Sequence, residues 1–113
     1  MSYVITPFEV SCRALPEPVE CKFVHLLSGI ATRHSDTIDC VFRVAGGRIT
    51  VAISCAALAE LRGREQNLTD QQLAEIAALH LRRTLEAAYD PTQAELFVDG
   101  ARLGGLAQEL GYL

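Results

Sequence analysis

The feature that most constrains this chain is a pair of glycines set between two runs of alternating side chains. Ile38 to Ala45 precede Gly46-Gly47, and Arg48 to Cys55 follow. Two adjacent glycines supply the positive φ angles of a two-residue type I′ turn, so the segment reads as a β-hairpin. Folded across that turn, Ile38, Cys40, Phe42 and Val44 meet Cys55, Ile53, Val51 and Ile49 on one face. Asp39, Val41, Arg43 and Ala45 stand opposite Ser54, Ala52, Thr50 and Arg48 on the other. Because neighbours along a strand point to opposite sides, the first face is expected in the core and the second is mixed. Arg43 and Arg48 fall diagonally on the mixed face, within reach of one acidic group.

The same test finds a hairpin upstream. With a turn at Pro16-Glu17, Phe8 to Ala14 folds onto Val19 to His25, and paired positions sum to thirty-three. One face then carries Phe8, Val10, Cys12 and Ala14 against His25, Phe23, Cys21 and Val19. The other carries Glu9, Ser11 and Arg13 against Val24, Lys22 and Glu20. This register sets Cys12 across from Cys21, close enough for a disulfide under oxidation. In a reducing compartment both pack as small apolar side chains.

Ser54 is placed to cap a short helix, Cys55 to Arg62, with Gly63 expected in the left-handed position past its end. The next helix has a stronger start: Thr69 as N-cap, Gln72 completing a capping box, and Leu68 set to staple against Leu73. It is expected to run to about Tyr89, before Asp90-Pro91. Leu73, Ile76, Ala77, His80, Leu81, Thr84 and Ala88 form its apolar stripe, with Gln72, Glu75, Arg82 and Glu86 on the other side. Leu96 and Val98 before Asp99-Gly100, with Ala101 and Leu103 after it, read as a third, short hairpin. A terminal helical turn from Leu106 to Leu110 closes at Gly111.

The expected fold is α+β in β-β-β-β-α-α-β-β-α order, an antiparallel sheet built from hairpins with helices packed on one face. A chain of 113 residues, half of them hydrophobic and 21% charged, is read as one domain spanning residues 1–113. A net charge of −4 and an isoelectric point near 5.3 leave no basic field for nucleic acid. No apolar run is long enough to cross a membrane as a helix, and residues 1–7 carry no secretory signature. The four cysteines, Cys12, Cys21, Cys40 and Cys55, lack the CxxC spacing of zinc or redox sites, so a reduced, cytoplasmic protein is expected.

From Val41 to Leu103 the chain resembles a family of small bacterial domains of unknown function. The resemblance lies in a strand ending Ala52-Ile53-Ser54 and Ala57-Leu58 of the following helix. It continues with His80 and Arg82 in a longer helix, and with the strand at Leu96 to Val98. It implies a fold and no activity.

Two functional readings follow. The first is a small non-enzymatic binding or assembly module for a small molecule or protein, or a homodimer through the outer sheet face. Its contact residues are Arg43, Arg48, Val24, Val41 and Phe97, with Leu26 and Ala52 among the apolar residues expected outward. The second is a small enzyme with a Cys/His site between the long helix and the sheet, with His80 as general base and Cys40 or Cys55 as nucleophile. No cofactor is expected, because neither Gly46-Gly47 nor Gly104-Gly105 has the spacing of a phosphate loop. No metal is expected either, because Cys21 and His25 on one strand lie about 13 Å apart.

Overall fold

The computed structural model describes residues 5–11, 17–29, 37–44, 46–86 and 95–113. Along the chain run β1 (Phe8–Val10), β2 (Val19–Gly29), β3 (Thr37–Val44), β4 (Gly47–Ser54), α1 (Cys55–Gly63), α2 (Asp70–Glu86), β5 (Glu95–Val98) and α3 (Gly100–Glu109). The five strands form one sheet in the order β1-β2-β3-β4-β5. The first three pairings are antiparallel, and β5 joins β4 in parallel, so the sheet is mixed.

The parallel strand corrects the expected third hairpin. After β4 the chain passes through α1 and α2 before β5, and a crossover of that length is what parallel pairing requires. Asp99-Gly100 is a helix start. The Asp99 carboxylate accepts from the Arg102 amide at 2.9 Å, and Leu103, Leu106 and Ala107 then bury one helical stripe. Aspartate followed by glycine serves a hairpin turn and an N-cap equally well. The decision falls to the apolar spacing downstream, which is helical.

Both N-terminal registers differ from the alternation argument by an even number of residues. β3 and β4 pair Ile38 with Ile53, Cys40 with Val51, Phe42 with Ile49 and Val44 with Gly47, and Gly46, between the last pair, takes φ +83°. In β1 and β2, Phe8 faces Cys21 and Val10 faces Val19. Side chains repeat every two residues, so a slip of two or four leaves each face intact and alternation cannot detect it. Cys12 lies outside the described residues; Cys21 stands across from Phe8.

One further correction comes from an irregularity in β2 between Phe23 and His25. Phe23 pairs with Phe42, but His25 pairs with Val41 and Leu26 with Cys40, as one extra residue inverts the alternation beyond it. His25 therefore joins the outer face, where it was expected inward, and Leu26 packs on the core.

Helix α2 follows its capping box. The Gln72 amide donates to the Thr69 hydroxyl at 3.1 Å and the Thr69 amide donates to the Gln72 side-chain oxygen at 2.9 Å. Leu73, Ile76, Ala77, Leu81 and Leu85 bury its inner stripe against the sheet residues Cys40, Phe42, Ile49, Val51 and Ile53. Phe23 meets Phe42 edge to face, with ring centroids 5.5 Å apart. Ser54 caps α1, its hydroxyl accepting from the Ala57 amide at 3.2 Å. The left-handed residue after α1 is Glu65, at φ +60°, and not Gly63, which stays helical. The amides of Glu65 and Gln66 donate to the carbonyls of Arg62 and Leu61, the bond pair of a Schellman motif.

Candidate functional site

The outer face of the sheet carries the charged residues that the hairpin alternation turned outward. Lys22 on β2 stands opposite Arg43 on β3, and Arg43 stands opposite Arg48 on β4. Direct register, in place of the expected diagonal, lines up three cations across three adjacent strands. Opposite residues in such ladders lie about 4.5–5.5 Å apart at Cβ, a spacing at which like charges repel. All three are exposed, and none forms an ion pair with a carboxylate among the described residues. A hollow of about 300 Å³ lies beside the row, lined by Glu20, Lys22, Arg43 and Gly46. One row further along β2, Glu20 stands opposite Glu9.

Behind this row the outer face closes. Thr37, Asp39, Val41, Thr50 and Ala52 are all buried, and the Thr37 hydroxyl donates to the Asp39 carboxylate at 2.9 Å. At 7% exposure Val41 supports the face without offering contact area, and Ala52, at 1%, does the same. Val24, at the β2 irregularity, is 36% exposed, and Phe97 on the edge strand β5 is 50% exposed. They sit on strands separated by β3 and β4, so they do not form one apolar patch.

The Cys/His candidates lie on the other side. Cys40 is fully buried in the core, and burial first, then the negative charges of Asp39 and Asp70, push its thiol up to about 12. Cys21, equally enclosed, is pushed up to about 11, chiefly by burial, with Arg82 opposing and Glu20 adding. His80 is buried on the inner stripe of α2. Burial, then the charge of Arg102, lowers its pKa, and Asp99 opposes the shift. The charges that perturb Cys40 are Asp39 and Asp70, and those that perturb His80 are Arg102 and Asp99. Cys55 is half-buried at the first position of α1. A thiolate nucleophile needs a depressed pKa and an adjacent base, whereas Cys40 has a raised one. No group of three or more His, Cys, Asp or Glu side chains among the described residues is arranged to hold a metal ion.

The outward placement of Arg43 and Arg48 was legible in the alternation, but Lys22 was not linked to them, since its position depends on how two hairpins pair with each other. No helix of the described residues is long and apolar enough to cross a membrane. Comparison with known family profiles, with curated proteins and with solved structures finds no match to this chain.

Proposed function

We propose that the chain is a small cytoplasmic binding or assembly module without catalytic activity, and that it recognises an acidic partner with the outer end of its sheet. The observation that carries this reading is the row Lys22, Arg43 and Arg48, three cations in direct register beside a hollow and without a carboxylate partner among the described residues, in a chain whose net charge is −4. Placing like charges opposite one another costs stability, and a bound carboxylate or phosphate group reverses that cost. Arginine suits the task, since its planar fork grips an acidic group through two parallel hydrogen bonds. The resemblance of residues 41–103 to small bacterial domains of unknown function adds no activity to this reading.

The test is calorimetric titration of a glutamate-rich peptide into the protein and into a variant carrying Arg43→Gln and Arg48→Gln. The reading expects the variant to bind at least about tenfold more weakly, the scale of one lost charge-assisted contact. Equal affinities would refute it.

A second reading, self-association, is favoured by the acidic pair Glu9 and Glu20 lying next to the basic row. A copy turned by a two-fold axis brings each acidic pair against the other copy's cations, and closed two-fold dimers are the commonest assembly. Phe97 at the sheet edge adds apolar surface to such a contact. Sedimentation equilibrium separates the readings: a dimer weakened by Lys22→Glu supports self-association, and a monomer at all concentrations leaves the acidic partner to be another molecule.

A further inference from the structure

A second concavity, independent of the sheet's outer face, opens between the chain entering β1 and the flank of α2. Its volume is about 450 Å³, within the range of roughly 300–1,000 Å³ that small-molecule sites occupy. The helix contributes Glu75, Ala78, Leu79 and Arg82, which follow the i, i+3, i+4, i+7 spacing of a single helical stripe. This stripe is offset from the one α2 buries in the core. Pro7 and Phe8 form the facing wall, and Leu110, just past α3, closes one side.

The two charged members of the stripe differ in how they are held. The Arg82 guanidinium lies over the Phe8 ring, 4.9 Å from its centroid, and has no carboxylate partner among the described residues. A guanidinium over a ring face is attracted by the ring's quadrupole, and its N–H groups can still donate to an acid group. Glu75 lies two helical turns earlier, about 10 Å along the axis at 1.5 Å per residue. Its carboxylate accepts from the Gln71 side-chain amide at 2.9 Å, which holds a negative charge at the far end of the groove.

We propose that this groove binds a small amphipathic monocarboxylate, its acid group on the edge of Arg82 and its hydrocarbon body between Pro7, Leu79 and Leu110. Charge complementarity selects the occupant. A largely apolar groove with one arginine that has no carboxylate partner among the described residues matches a single carboxylate on an apolar tail. The carboxylate of Glu75 discriminates against a second acid group at the other end of the ligand.

The test uses octanoate, octanol and the dicarboxylate suberate, each titrated into isotopically labelled protein and followed by amide chemical shifts. Octanoate is expected to shift residues 78, 79, 82 and 110 and to bind at least about tenfold more tightly than octanol, the worth of one charge-assisted contact. Arg82→Gln, a change at an exposed position, removes that preference, so that octanoate and octanol bind the variant with similar affinity. Suberate binds more weakly than octanoate to the natural chain, and Glu75→Gln narrows the gap. No saturable binding of octanoate, shifts confined to another surface, or an Arg82→Gln variant that keeps the preference for octanoate over octanol would each overturn the proposal.

Discussion

Lys22 and Arg43 stand directly opposite each other on β2 and β3, and Arg48 extends the line onto β4. Removing the middle charge is therefore expected to stabilise the free protein. Arg43→Gln should raise urea-unfolding stability by a few tenths of a kcal/mol at low ionic strength. The gain should vanish in about 1 M salt, where screening acts within roughly 3 Å. A loss of stability at low salt would mean that Arg43 has a stabilising role beyond the row.

Glu65 ends α1 in the same backbone position that Gly111 occupies at the end of α3. Each has a positive φ, and each is followed by the same pair of amide-to-carbonyl bonds. A side chain in the left-handed region carries a steric cost that glycine avoids. Glu65→Gly is expected to stabilise the fold by about 0.5–1 kcal/mol, and Gly111→Ala to destabilise it by about 1 kcal/mol. Denaturant midpoints of the two variants should move in opposite directions.

His80 makes the fold sensitive to acid. Its pKa in the folded protein is held below the ordinary 6.5 by burial and by Arg102. Above that ordinary value the imidazole is neutral in both states, and its contribution to stability is complete. As pH falls below about 6.5 the unfolded chain takes up a proton before the folded one does, so stability declines until the folded histidine also titrates. Thermal unfolding followed from pH 7.5 to 4.5 should show this loss, and His80→Gln should flatten the profile below pH 6.5.

The buried thiols predict the opposite slope in alkali. With Cys21 held near 11 and Cys40 near 12, the folded chain keeps protons that the unfolded chain gives up from about 9 upward. Stability falls as pH rises above that point. In native conditions at neutral pH, a thiol reagent should modify the half-buried Cys55 before Cys21 or Cys40, which react only as the protein opens. Rapid native modification of Cys40 would revive a catalytic reading of that residue.

The sheet faces and the capped helices were legible because they depend on local periodicity. Thr69 and Gln72 announce α2, and the alternation from Ile38 to Val44 turns Cys40 and Phe42 inward whichever even register the strands adopt. What escaped depends on contacts between distant segments. A single extra residue near Val24 sent His25 out and Leu26 in, and no composition signal marks it. The parallel pairing of β5 follows from how a crossover packs, and Asp99-Gly100 suited either turn or helix. The site was half visible: Arg43 and Arg48 came from one hairpin, whereas Lys22 joins them through the pairing of β2 with β3. Arg82 was placed on the polar side of α2, but its seat on Phe8 required the edge strand to be in position.

The most direct measurement of the outer-face site is the thermal midpoint of the natural chain and of the Lys22→Gln, Arg43→Gln, Arg48→Gln variant, in a glutamate-rich peptide and in chloride at equal ionic strength. The natural chain should melt higher in the peptide than in chloride, because a ligand bound to the folded state alone stabilises it by mass action. The variant should melt at the same temperature in both. An equal rise in the two proteins, or no rise in the natural chain, would contradict an anion-binding role for the row.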